Sequence, residues 1–340
     1  MRLLAAVFSA LALLSQAAGA CEFQRGPIVK LLDEWIKTCG HPLCGRIHIA
    51  EASRLKEHAK NCEWKGWMSM REDVRATIVG GGAVLFGEVH DNPLHHELRS
   101  RLGLSSYLST VLEQISADKA ANLEAFAVET KSGYTDASLE KLKSAIDWAN
   151  SGWQSYNYDP LLVAALKAQT PIFAGDANRD TIKKIAKEGA GVLSADEKAK
   201  LKLDLPLGDK ADAASLDDLY ESHCKSMPRE ALANMALAQR YRDAVLADTA
   251  LQAIAKRGGT IVLTGNNHAR KDRGVPWYMH ARAPEKKTLS ILLVEVEDGK
   301  TDPEAYVPKD PDGKPAADFV VFTPRAERTD QCAEFTKKAN

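Results

Sequence analysis

The sequence predicts an α/β protein with a mostly parallel central sheet, helices on both faces and a small helical subdomain. Three observations carry this. Short apolar runs recur at Ala83–Phe86, Thr110–Leu112, Pro171–Ala174, Thr260–Thr264 and Leu289–Val296. The intervals between most of them are long enough for helices and carry helical patterning. Polar clusters stand directly behind the first four runs, where a parallel sheet opens its ligand-binding edge.

Taken in order, residues 1–20 (MRLLAAVFSALALLSQAAGA) place Arg2 before an apolar stretch and end in Ala18-Gly19-Ala20, the pattern of a secretory signal peptide. The stretch is too short and wrongly flanked for a membrane span. An exported protein is therefore expected, periplasmic or associated with the outer membrane. Cys21 follows directly and is a candidate for lipid attachment, the one membrane link expected, although Ala18 stands where a leucine-like residue is usual. Residues 21–70 form a Cys-rich N-terminal segment, with Cys39, Cys44 and Cys62 interleaved with His41, His48 and His58. Cys39-x4-Cys44 and His58-x3-Cys62 are compatible with zinc, but an oxidising compartment favours disulfides. The segment reads as a capping appendage.

Residues 71–340 read as the α/β domain. Ala83–Phe86 is a buried strand; Asn92 caps the next helix, Pro93 opens it, and Leu94, Leu98 and Leu102 line one face. Thr110–Leu112 supplies a second strand parallel to the first. A helix over Leu161–Ala168 leads to the strand at Pro171–Ala174. About 181–229 is charged, rich in Ala and Lys and without strand signals, so it reads as a helical insertion. A helix over Ala231–Lys256 then precedes strands at Thr260–Thr264, Leu289–Val296 and Phe319–Phe322. A net charge of −1 without a basic block argues against nucleic acid as a partner.

The chemistry concentrates behind the strands: Glu88-Val89-His90-Asp91, then Glu113, then Asp176-Ala177-Asn178-Arg179, then Asn266-Asn267-His268. Two of these share the form Gly-x-x-His, at Gly87–His90 and Gly265–His268, where glycine permits a sharp exit from the sheet. Glu88, His90 and His268 suit a divalent metal site; Glu88, His90, Glu113 and His268 equally suit acid–base catalysis. His95 and His96 share the first turn of a helix, so one is expected to face the crevice and the other water. Aromatic residues make up 6% of the chain, yet four gather in "DWANSGWQSYNYDP" at 147–160. That cluster reads as an inter-helix turn or as a wall for a flat ligand, with a phenol available to ferric iron.

The stretches "VLFGEVHDNPLHH", "GWQSYNYDPLLVAALKAQTPIFAGDANRD", "LTGNNHARKDRGVP" and "DFVVFTPRAERTDQC" resemble, in order and spacing, the ChaN-like haem-binding uptake proteins. That superfamily also holds erythromycin esterases and the Tiki metalloproteases. The resemblance spans about residues 70–332 and implies an exported bacterial protein of iron and haem uptake, often lipid-anchored, that forms homodimers around haem. By position, Glu88, His90, Glu113 and His268 match the superfamily site. Tyr158 is the first candidate for the iron-facing phenol and Tyr156 the second. His90 and His268 remain candidate cofactor contacts, and Arg179 or Arg270 is available to a haem propionate. The alternative is a metal- or histidine-dependent hydrolase of the erythromycin esterase or Tiki type. Asn266 and Asn267 stand where smaller residues are expected.

Overall fold

Ala83-Val84-Leu85-Phe86 is buried along its whole length, as a strand with parallel neighbours on both sides must be. The computed structural model describes residues 27–62, 64–101, 109–129, 133–329 and 332–333. The expected leader, Cys21 and Leu102 lie outside the described residues. In chain order the structure forms α1 (Pro27–Thr38), β1 (Ile47–Ile49), α2 (Lys65–Val79), β2 (Ala83–Phe86), α3 (Pro93–Arg101), β3 (Ser109–Ser116), α4 (Ala120–Glu129), α5 (Ser138–Ala145), α6 (Asp159–Lys167) and β4 (Ile172–Asp176). It continues through α7 (Arg179–Glu188), α8 (Ala195–Leu201), α9 (Asp209–Ser222), α10 (Ala233–Arg257), β5 (Thr260–Leu263), α11 (Asn266–Ala269), α12 (Val275–Arg282), β6 (Thr288–Glu295) and β7 (Phe319–Thr323).

The sheet has seven strands in the order β1-β7-β6-β2-β5-β3-β4, with β1 antiparallel to β7 and every other pairing parallel. β2 and β3 run parallel, as expected, but β5 lies between them and pairs Thr260 with both Ala83 and Ser109. Alternate residues of β2 serve opposite faces. Val84 and Phe86 join the core under α1 to α6, whereas Ala83 and Leu85 join the one under α10 and α12. Asn92 does cap α3, its Oδ1 accepting from Leu94 N at 2.9 Å. β3 runs further than its apolar run, to Ser116, with a register shift against β4 between Leu112 and Ser116. That irregularity falls at Glu113 and Gln114 and re-aims the strand's end, as bulges beside binding sites do.

The Cys-rich segment contributes β1 to this sheet, a strand too short to register in the sequence as alternation. The segment is tied down by charge as well as by pairing. Asp318 is fully buried; it accepts from Arg54 Nε at 3.0 Å, Lys271 Nζ at 2.9 Å and Ser290 N at 2.7 Å. Arg54 also reaches Asp73 at 3.1 Å. Cys39 is bridged to Cys44 and Cys224 to Cys332, and Cys62 is likewise disulfide-bonded. The zinc alternative is thereby removed, because a disulfide sulfur is not a thiolate ligand.

Removing a buried carboxylate that holds two cations costs about 3–5 kcal/mol. Asp318→Ala should lower the unfolding free energy by that order and speed proteolysis within residues 39–62. Urea denaturation and limited proteolysis measure both, and an unchanged midpoint would show that strand pairing alone holds the segment.

Candidate functional site

The two Gly-x-x-His loops leave adjacent strands, β2 and β5, and pack into one another. A Cβ on Gly87 would collide with Asn266 Oδ1, and one on Gly265 would lie 2.7 Å from His90 Nε2. Asn266 N also donates to Glu88 O at 3.0 Å. Gly265 has an extended backbone (φ −70°, ψ 156°), and Gly87 is not among the positive-φ glycines. The glycines therefore serve close approach, not the sharp turn expected of them.

Glu88 and Glu113 are both fully enclosed, and each anchors one side of His90. Glu88 Oε1 accepts from His90 Nδ1 at 2.9 Å and from the Tyr158 hydroxyl at 2.6 Å, while Oε2 forms an ion pair with the buried Arg99 of α3. Burial pushes the Glu88 carboxyl up, but the Arg99 guanidinium and the His90 hydrogen bond outweigh it and bring its pKa down to about 2. Glu113 accepts from Gly265 N at 2.6 Å, Thr264 Oγ1 at 2.7 Å and Arg242 Nη2 at 2.7 Å. Its Oε1 also lies 3.4 Å from His268 Nε2 and 3.8 Å from His90 Nε2. Burial again opposes ionisation, and the surrounding cations hold this carboxyl well below the usual range.

The two imidazoles thus meet at one carboxylate oxygen, but they are not equivalent. His90 keeps 31% of its side chain exposed and His268 only 8%. His268 Nδ1 donates to Asp243 at 2.7 Å. Burial alone would lower its pKa, yet the carboxylates of Asp243 and Glu113 raise it to about 10. The two carboxylates thus favour the imidazolium form of His268, with Asp243 at Nδ1 and Glu113 at Nε2. Arg242 closes the network by bonding Asp176 through Nε and Nη2, each at 2.9 Å. Glu88, Glu113, Asp176 and Asp243 against Arg99, Arg242 and protonated His268 leave a net charge of about −1 beneath the exposed His90.

His95 and His96 are both buried, so neither faces water. His95 Nδ1 accepts from Val89 N at 2.9 Å and Nε2 meets Thr323 Oγ1 at 2.7 Å; burial lowers its pKa to about 3. His96 stacks on Tyr158 at 4.1 Å. Tyr158, the first candidate for an iron-facing phenol, is 1% exposed, and burial with the neighbouring Glu88 raises its pKa. It is a buried donor to Glu88. Arg270 is engaged by Asp272 at 2.7 Å and the Lys309 carbonyl at 3.0 Å, and Asp91 by Arg328 at 2.8 Å.

Two cavities open on this rim and share His90, Gln239 and Arg242. The larger, about 860 Å³, is lined by Trp153, Tyr156, Arg179 and Lys183 among others. Trp153 meets the His90 ring edge-on at 4.8 Å and lies 6.2 Å from Tyr156. Arg179 donates to Asn150 O at 2.9 Å and packs on Gly152, whose φ of +82° and missing Cβ make room for the guanidinium. The smaller cavity, about 500 Å³, lies between the rim and helices α9 and α10 and is lined by His268, Asn267, Leu207 and Arg240 among others. Among the described residues no group of three or more His, Cys, Asp or Glu side chains is arranged to hold a metal ion. Of the expected set, Glu88 is paired with Arg99, and His268 with Asp243 and Glu113, whereas His90 borders both cavities.

Arg99, Arg242 and Asp243 are functional neighbours that the sequence reading missed. Arg99 follows Leu98 on the inward face of α3 and was legible in principle. Arg242 and Asp243 lie mid-helix, more than a hundred residues from Glu113, with no local signal.

Residues 75–279, more than half of the chain, match the family described as "Haem-binding uptake, Tiki superfamily, ChaN". Among solved structures, "Cofacial heme binding to ChaN of Campylobacter jejuni" is similar at 19% identity and a TM-score of 0.52, covering 73% of this chain and 90% of that one. A mutant of the erythromycin esterase EreC in its open conformation is matched at 14% identity and a TM-score of 0.35, over 86% of this chain and 87% of that one. No curated protein matches the chain.

The His268 pair yields a pH test. An unperturbed imidazole releases its proton near pH 6.5 and the folded one near pH 10. The native state therefore binds the extra proton between those values, and its stabilisation is complete below pH 6.5 and lost as pH rises towards 10. Unfolding free energy should fall across that window by up to about 1.4 kcal/mol per pH unit, and His268→Gln should flatten the decline. Equal slopes in denaturation curves of the two proteins would refute the assignment.

Proposed function

The chain belongs to the ChaN family of haem-binding uptake proteins in the Tiki superfamily, and from that premise we propose that it binds haem at the carboxyl-terminal rim of its sheet. The observation that carries the reading is the larger cavity, where an aromatic wall of Trp153 and Tyr156, a cationic side chain at Arg179 and the exposed His90 face one space of about 860 Å³. This volume lies within the range of cofactor sites. The residues fit the group: indole and phenol rings for a porphyrin face, a guanidinium for a propionate, and a net negative cluster beneath His90 for a ferric centre. Tyr156 takes the place first given to Tyr158, because its hydroxyl has no hydrogen-bond partner among the described residues and it lines the cavity. When bound, haem would supply the iron centre; the chain's own part is to hold and orient it, with Glu88 and Tyr158 fixing the His90 ring.

Asp118, Asp147 and Asp180 also line this cavity, with Lys119 and Lys183, and the proposal includes a homodimer that would cover its open side. An exported, periplasmic or outer-membrane-associated haem-uptake protein, lipid-anchored if Cys21 is acylated, completes the proposal. A second reading rests on His90 itself: an accessible imidazole oriented by an ionised carboxylate is also a general base, as a histidine-dependent hydrolase needs.

Haemin titration separates the readings. A saturable Soret change is expected, weakened at least tenfold or shifted in Tyr156→Phe and His90→Ala, with its position retained in Tyr158→Phe. That last variant should instead lose about 1–3 kcal/mol of stability through the missing bond to Glu88. No saturable change, together with His90-dependent ester hydrolysis, would replace the haem reading with the hydrolase.

A further inference from the structure

The smaller cavity carries a cation that the network does not use. Arg242 and His268 are matched by carboxylates, and Arg273 pairs with Asp218 at the mouth. Arg240 differs. Its Nε donates to the Tyr278 hydroxyl at 2.8 Å and its Nη2 to the Leu205 carbonyl at 2.6 Å, and among the described residues no carboxylate pairs with it. A half-buried guanidinium with only neutral acceptors retains an uncompensated charge and free N–H donors.

What surrounds Arg240 is specific in kind. Ala236 lies one helical turn before it on α10, so the two share a face. Leu207, two residues beyond the carbonyl that Arg240 holds, and Leu219 of α9 complete an apolar wall. Asn267 also lines the cavity and offers a side-chain amide with no partner among the described residues. One cation and one amide donor at an apolar slot select an anion with an apolar body.

We infer that this cavity is a second ligand site, distinct from the proposed haem site, and that it takes a small amphipathic carboxylate held by Arg240 with its hydrocarbon part against Leu207, Leu219 and Ala236. Because His90 borders both cavities, such a ligand would lie beside the haem site without occupying it.

Octanoate is the probe, titrated by calorimetry into the full-length protein, with octylamine and octanol as controls of equal chain length. Saturable binding of octanoate alone is expected, reduced at least tenfold in Arg240→Gln and unaltered in Tyr156→Phe. Should Arg240→Gln fail to fold, Ala236→Glu supplies an internal carboxylate one turn away and should abolish binding at an unchanged melting temperature. Three results would overturn the inference: no saturation at millimolar octanoate, equal affinity in Ala236→Glu, or one-for-one displacement by haemin, which would give Arg240 to the haem. Loss of haemin binding with octanoate binding intact would defeat the haem reading alone.

Discussion

One buried carboxylate holds the rim together. Glu113 sits at the irregularity in β3 and accepts hydrogen bonds from the backbone of the β5 loop, from Thr264 and from Arg242 of the long helix. It also lies within 4 Å of both imidazoles. Burying an ion without partners is prohibitive; burying it among so many donors makes the arrangement single-valued. The loops, the bulged strand and α10 are each positioned with respect to this group. The geometry of both cavities follows from it.

The division of labour between the two histidines follows from the same electrostatics. Symmetric motifs do not give symmetric roles: both imidazoles lie beside two carboxylates, but His268 is sealed in whereas His90 stays partly open to solvent. His268 is a fixed positive element of the scaffold, comparable to Arg99 and Arg242, and His90 alone can respond to a ligand. Tyr158 and His96 belong to the scaffold as well. They pack under His90, and Glu88, whose ionisation this burial opposes, is kept ionised by Arg99 and by the His90 hydrogen bond.

Much of this was legible in the sequence and some was not, for identifiable reasons. Six of the seven strands announce themselves as apolar runs, four of them (β2, β3, β5 and β6) because a strand with two parallel neighbours has no polar face to show; β1 is only Ile47–Ile49 and gives no such signal. The convergence of His90, Glu113 and His268 followed from strand-end placement. The orientation of neighbouring side chains did not. Tyr156 and Tyr158 are two residues apart, yet one lines a cavity and the other is sealed beneath Glu88, because the chain between them turns into the cap of α6. His95 and His96 were misjudged for a related reason: the last strand and the Asn157 carbonyl, both distant in sequence, cover the two faces of α3 on which they lie.

The bond between Cys224 and Cys332 spans 108 residues and fastens the turn after α9, and with it one wall of the smaller cavity, to the far end of the chain. During synthesis the sulfur at 224 must wait for β5, β6 and β7 to be made before its mate exists. The wall can therefore be locked only once the whole stretch from 225 to 331, with its three strands, has been made.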